Sequence, residues 1–363
     1  VSHGIDDRTD WVVPETAEAL ARHVYRGLEA EGWDLSGRDF AGIDLRGATF
    51  NKVDLSGADL RRADLREATF VACKLDGARL DGANLHLTTL YQSGLSGAVL
   101  SGADLTRARM IELDASEADF SQTDARQALF AKCGLERARF TGSRLDRNII
   151  SECRLDGLDL RGCKLEQVTL MKADLRQVLL EGAELIQLVL VESDLSGLDL
   201  SGATLCRTQF TESKLQGCNF SGADLRNANF KSADLAGVVL AKANASNALF
   251  VEADLSEADL RGARLAQSIF IDATLERARC GGAGMYQCIF QRAKCAQASF
   301  AGANLTYADF SEADISGADF RGAQMFRANL HAVDDAGAHI PNRAVTLGTD
   351  PELAAAQNWK PKY

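Results

Sequence analysis

Between Leu35 and Leu330 every fifth residue is apolar, and the register never slips. The series has sixty positions, and fifty of them hold Leu or Phe. The other ten are Ala115, Ala125, Ala245, Cys280, Cys295, Met110, Met285, Met325, Ile150 and Ile315. A beat of five fits neither the helix period of about 3.6 nor the strand period of about 2. It fits a square coil with four short sides and a turn at each corner. Within a side, residues alternate in and out as in a strand. The central Leu or Phe and the small residue two before it therefore point inward, the residue between them points out, and the last two make the corner.

Typical units read Ala58-Asp59-Leu60 or Ala223-Asp224-Leu225. This resembles the pentapeptide-repeat family, whose motif is Ala-(Asp/Asn)-Leu-X-X. The resemblance implies an all-β solenoid, a right-handed quadrilateral parallel β-helix with short α-helical caps. Four units per coil give about 15 coils. At roughly 4.8 Å between neighbouring strands the rod would be about 70 Å long. Near-absence of Pro agrees, because each coil donates backbone N–H groups to the next.

Three segments follow: 1–32 as an N-terminal segment with a capping helix, 33–332 as the β-helix, and 333–363 as a C-terminal loop and capping helix. Pro14 to Glu31 places Ala17, Leu20, Ala21, Val24, Tyr25 and Leu28 on one helix face. Gly32 suits its stop, and Trp33 is expected to lid the first coil. Ala332 to Gly348 has no period and reads as an ordered loop. Thr349-Asp350-Pro351-Glu352 reads as a helix start, with Leu353 and Trp359 expected to cover the last coil. The chain begins at Val1 rather than Met, which reads as an excised or processed part.

Sorting units by position modulo twenty separates four sides. The second corner residue is Gly in 9 of 15 units on the side of Leu35 and in 12 of 15 on the side of Phe40. After the third side only Gly47 occurs, and after the fourth none. Glycine accepts the positive φ of a type II turn, so type II corners are predicted after the first two sides and a different turn after the others. On the first three sides the outward residue is often Asp. The fourth side is unlike them, with an outward stripe of β-branched and apolar residues. Its candidate interaction residues are Tyr91, Ile111, Leu129, Ile149, Met171, Val189, Val191, Leu249, Val251, Ile269, Ile271 and Ile289. Glu112, Glu152, Glu192, Glu212, Glu252 and Asp272 border one edge. Local sheet preference and a partner or dimer surface both account for such a stripe.

From Ile150 to Leu205 no central residue is Phe, and the partner slot takes Leu158, Val168, Val178, Leu188 and Leu198. Smaller centres matched by larger partners are what constant core density demands.

The sequence carries no catalytic constellation. Cys73, Cys133, Cys153, Cys163, Cys218 and Cys288 fall in the inward small-residue slot, Cys280 and Cys295 in the central slot, and only Cys206 points out. Free Cys packs as a small hydrophobe, so no metal or cofactor is expected, and reduced thiols imply a cytoplasmic setting. The five His are scattered. There is no phosphate-binding Gly loop or nucleophile elbow, and no stretch approaches transmembrane length. Asn148, predicted inside, is expected to ladder to backbone groups. Arg38, in the inward slot of the first coil, is expected to be exposed at the end.

The reading is a non-enzymatic protein-interaction scaffold. The entry Gly27-Leu28-Glu29-Ala30-Glu31-Gly32-Trp33-Asp34-Leu35-Ser36-Gly37 and the exit Ala328-Asn329-Leu330-His331, followed by Leu347-Gly348-Thr349-Asp350-Pro351-Glu352-Leu353, are similar to those of pentapeptide-repeat proteins of bacterial type VI secretion. That resemblance implies an accessory or adaptor role toward secretion spike or effector proteins. The alternative is the DNA mimicry of quinolone-resistance members that bind DNA gyrase, a topoisomerase. Net charge −11 is compatible with mimicry. The charge is diluted, with 51 acids against 40 bases. Neither direct nucleic-acid nor membrane binding is expected. Homodimerisation through the C-terminal cap or the apolar side is left open.

Overall fold

The computed structural model describes residues 13–357. Within that range it forms two compact units, residues 13–168 with 177–183, and residues 169–176 with 184–357.

Unit 1 opens with α1 (Ala17–Tyr25), whose N-cap Thr16 accepts the Ala19 N–H at 3.3 Å. Leu20 is buried, and Trp33 packs edge-on against His23 with centroids 4.6 Å apart. The helix is shorter than the sequence predicts. Ala30–Glu31 forms β1 and pairs in parallel with Phe50 and Asn51, so its backbone groups belong to the coil rather than to a helix. Tyr25, expected on the apolar face, is exposed. Arg38 is half-buried rather than exposed, because its guanidinium donates to the Pro14 carbonyl.

On the fourth side of unit 1, β2 (Thr49–Asn51), β3 (Thr69–Val71), β4 (Thr89–Tyr91), β5 (Arg109–Ile111), β6 (Leu129–Ala131) and β7 (Ile149–Ser151) stack in parallel, twenty residues apart. The other sides pair through single bridges at the same spacing, such as Asp34↔Asp54, Asp39↔Asp59 and Asp44↔Asp64. Four ladders at one twenty-residue spacing define a four-sided parallel solenoid. Its right-handed sense follows from strand twist. Runs long enough to be strands give about eight turns. They do not support the fifteen coils expected from counting units, because many rungs are held by isolated bridges instead.

Unit 2 is built almost wholly of such bridges. On its fourth side Asn229, Leu249, Ile269, Ile289, Asp309 and Asn329 pair in succession. Inside, Phe210, Phe230, Phe250, Phe270, Phe290 and Phe310 form a continuous ring stack with centroids 4.5 to 4.9 Å apart. In the Phe-free stretch Leu158, Val168, Val178 and Leu188 are buried as expected, while Leu198 is half-buried. The segment expected to be an aperiodic loop is largely coil. Asp334 bridges Asp314, His339 bridges Asp319 and Leu347 bridges Asn329, followed by α2 (Pro351–Gln357). Pairing there uses backbone groups and needs no Leu or Phe. Trp359 and the Leu353 side chain lie outside what the structure describes.

The corner prediction needs correction. Lys, Arg, Glu and Gln at second corner positions hold φ between 50° and 62° after all four sides, as glycines do elsewhere. Third-side corners close with the same i→i+3 bond as the first two: Ala68 N–H to Leu65 O at 3.0 Å resembles Ala58 N–H to Leu55 O. Only φ at the second corner residue is positive, which is type II geometry. The fourth side changes along the chain, its corners closing this way only from Ser213 onward. In unit 2 Ala253 N–H and Ala273 N–H close their corners onto Phe250 and Phe270. In unit 1 no such bond closes the corner before Val53, Cys73, Ser93, Leu113, Cys133 or Cys153. Those inward slots mostly hold side chains larger than the Ala that unit 2 uses at 233, 253, 273, 293 and 313.

Candidate interaction face

The outward residue of a side is commonly Asp for a local reason. Its carboxylate accepts the backbone N–H two residues on, as Asp54 does from Ser56 at 2.9 Å. Where that second residue is Arg, the guanidinium folds back on the same carboxylate. Nine such pairs occur among the described residues, including Asp64–Arg66, Asp124–Arg126, Asp224–Arg226 and Asp259–Arg261. Hydrogen bonds from Arg61 hold the Asp59 carboxyl down at about 2. Arg226 lowers Asp224, and Arg261 lowers Asp259, by the same contact. Much of the acid is thus neutralised within its own unit.

The fourth side carries fewer charges, and every candidate residue on it is exposed or half-buried. In unit 1, Tyr91 stacks in register with Ile111, and Leu129 with Ile149. Met171, Val189 and Val191 belong to the start of unit 2. Gln209 and Asn229 then interrupt the apolar run, the Asn229 amide donating to Gln209 Oε1 at 3.0 Å and to Thr211 Oγ1 at 3.3 Å. Beyond them Leu249, Ile269 and Ile289 pair in succession, flanked by Val251 and Ile271. A second polar rung ends this cluster. Gln291 Nε2 donates to Asp309 at 2.7 Å, and Asn329 Nδ2 donates to Asp309 at 3.0 Å and to Ser311 at 2.8 Å. The stripe is therefore three clusters, and the Leu249–Ile289 cluster has hydrogen-bonded polar ends. Its acidic edge is partly balanced: Arg292 binds Asp272 at 2.8 Å, and Ser232 donates to Glu252 at 2.8 Å.

Sorting by side misses a second feature of this region. Tyr286, Tyr307 and Phe326 are 38%, 43% and 53% exposed on the corner that leads into the fourth side. Their rings meet edge to face, at 5.9 Å for Tyr286–Tyr307 and 5.8 Å for Tyr307–Phe326. The sequence signal is three aromatics at otherwise polar corner positions, at spacings of 21 and 19 rather than 20.

The thiols are free. Cys206 and Cys153 are half-buried and the others buried, so Cys153 is more open than its slot predicts. Burial pushes the thiols of Cys163 and Cys218 up to about 11. Among the described residues no group of three or more His, Cys, Asp or Glu is placed to hold a metal ion. No helix among them is long and apolar enough to cross a membrane.

Parallel coils of five-residue units, stacked side on side, define a repeat solenoid that presents side-chain ladders rather than a cleft. Family models agree: the chain belongs to the pentapeptide-repeat family. The model described as pentapeptide repeats (8 copies) matches 34–66, 63–93, 93–131, 128–167, 233–270, 253–292 and 293–331, and that of a pentapeptide repeat region matches 163–240. The comparison with curated proteins finds no match. Among solved structures, HetL, a pentapeptide repeat protein involved in heterocyst differentiation regulation in the cyanobacterium Nostoc sp., is 25% identical over 74% of this chain and 96% of its own, with a TM-score of 0.31. A trypsin-treated QnrB1, a plasmid-mediated fluoroquinolone resistance protein, is 21% identical over 54% of this chain and 98% of its own, with a TM-score of 0.32. A pentapeptide repeat protein of the Arabidopsis thaliana thylakoid lumen is 38% identical over 34% of this chain and 68% of its own, with a TM-score of 0.13.

Proposed function

We propose that the chain is a non-enzymatic protein-interaction scaffold of a reducing, cytoplasmic compartment, and that a protein partner docks on the Leu249–Ile289 cluster. One observation carries this reading. Five outward aliphatic residues lie together between two hydrogen-bonded polar rungs, beside an exposed aromatic corner. An apolar centre with a polar rim and nearby Tyr and Phe is the composition of an interface. Sheet preference explains β-branched residues at these positions but not the aromatic corner. By flank resemblance the partner is a spike or effector protein of type VI secretion. The three-segment division and the rest of the fourth-side stripe belong to the same reading.

The second reading is gyrase binding by DNA mimicry, which net charge −11 favours. The nine Asp–Arg pairs weigh against it, since they break the acid into short-range dipoles. A Leu249→Lys/Ile269→Lys variant tests the docking face. We expect the partner captured by the wild type from its native host to be lost, with thermal stability changed little because both side chains are already partly in water. Capture unaffected by the double substitution would reject the face. Recovery of topoisomerase subunits, with inhibition of supercoiling, would replace the secretion partner with gyrase. A change in light-scattering mass on substitution would identify a second copy as the occupant.

A further inference from the structure

Some corner cations in this chain meet an acid one coil away. Arg137 faces Glu117, Arg277 lies 3.8 Å from Glu257, and Arg292 holds Asp272 at 2.8 Å. Two others share one corner of unit 1 and line it together. Arg107 and Arg147 occupy the same second corner position, with φ of 57° and 60°, but meet amides. Arg107 Nε donates to Gln127 Oε1 at 2.9 Å, and Arg147 Nε donates to Gln167 Oε1 at 3.1 Å. Among the described residues neither has a carboxylate partner. Gln127 sits between them, one coil from each.

These residues line a concavity of about 430 Å³ together with Thr106, Arg126, Arg144, Asp146 and Glu166. Arg126 is committed to Asp124, at 2.7 and 2.6 Å, and Arg144 to Asp146 at 3.2 Å. With Arg126 and Arg144 neutralised in this way, Arg107 and Arg147 against Glu166 leave the lining positive in a chain of net charge −11.

We infer that this concavity binds a phosphate-class oxyanion, held by Arg107 and Arg147 with the Gln127 amide N–H between them. The guanidinium is a planar fork of N–H donors suited to phosphate oxygens, and both forks still have their terminal nitrogens to give. Two rungs separate the arginines, roughly 10 Å along the backbone. Side chains of that reach converge on one multiply charged group, which a single carboxylate serves less well.

Calorimetric titration of the full chain with inorganic pyrophosphate tests this. We expect saturable binding that weakens with added salt. Arg107→Gln/Arg147→Gln should weaken it about tenfold or more, one decade being about 1.4 kcal/mol. Arg226→Gln, which breaks an ordinary corner pair in unit 2, should leave it within about twofold, well under that decade. Gln127→Glu gives both arginines the acid partner used elsewhere in the chain. It should abolish binding and raise the melting temperature, so loss of the site is separated from loss of fold. No saturable heat with the wild type, or wild-type affinity in Gln127→Glu, overturns the inference. A phosphoserine peptide and its unphosphorylated twin identify the source. Phosphate-dependent binding tighter than pyrophosphate assigns a phosphorylated protein, and pyrophosphate alone assigns the free anion.

Discussion

A hydroxyl or thiol in the inward slot mostly takes one target, the carbonyl of a central residue one coil earlier; Thr123 instead donates to Phe120 O on its own coil at 2.8 Å. Thr88 donates to Leu65 O at 2.7 Å, Ser268 to Ala245 O at 2.7 Å, and the thiols of Cys218 and Cys288 to Leu195 O and Leu265 O at 2.9 Å. Two buried slot residues find no target at all. Thr208 Oγ1 and both amide atoms of Asn148 have no hydrogen-bond partner among the described residues, so the backbone ladder expected for Asn148 is not formed. A buried polar atom left unmade costs about 1–3 kcal/mol. Thr208→Val keeps the shape and removes the hydroxyl, so chemical denaturation should show a gain of about 1 kcal/mol. Thr88→Val, the paired control, should lose stability by a similar amount. Equal effects of the two substitutions would refute the distinction. Slot chemistry was legible in the sequence, which sorted eight cysteines inward. Whether a slot donor finds its carbonyl was not, because that depends on the exact stacking of adjacent coils.

At the scale of the element, unit 1's open corners leave an N–H that the closed corner of unit 2 would satisfy. Neighbouring side chains take over: Ser93 Oγ accepts from Cys73 N–H at 3.1 Å, and Cys153 Sγ accepts from Cys133 N–H at 3.4 Å. Ser93→Ala should therefore cost more than its small volume suggests, about 1–3 kcal/mol in urea denaturation, because it strands a buried donor. A change below about 0.5 kcal/mol would mean that the corner recloses as in unit 2. The corners also show the limit of reading by residue type. Missing glycine predicts a different turn, yet Leu87 and Glu67 hold φ of 60°. Coil stacking imposes that conformation on an L-residue at a cost of about 1–2 kcal/mol. Leu87→Gly should recover roughly 1 kcal/mol and remove an exposed apolar side chain; a lower melting temperature would sink this account. The five-residue beat was readable because in–out alternation is local. The turn past Ala332 was not, because the backbone of Asp334 and His339 pairs without any apolar signature. The apolar stripe was visible, but its division depended on a side-chain ladder between Gln209 and Asn229, and the aromatic corner mixed two corner positions.

For the chain as a whole, the repeated Asp–Arg contact makes stability depend on acid pH. Asp44, Asp64, Asp124, Asp174, Asp224, Asp259 and Asp319 are all held below the ordinary carboxylate range by hydrogen bonds from the arginine two residues on. Asp59 falls to about 2 for the same reason. A carboxyl whose pKa is lower folded than unfolded binds fewer protons in the folded state. Its contribution is complete above the unfolded value of about 3.9 and is lost as pH falls through the folded value. Summed over the pairs, the denaturation midpoint should hold steady above about pH 5 and fall progressively toward pH 2. Each pair is partly exposed, so the individual contributions are small and screened; it is the repetition that makes the slope measurable. An Arg61→Gln/Arg261→Gln variant removes two of the donors and should show a shallower fall over the same window. A midpoint independent of pH between 5 and 2, or a variant as steep as the wild type, would show that the pairs contribute to the surface field without supporting the coil.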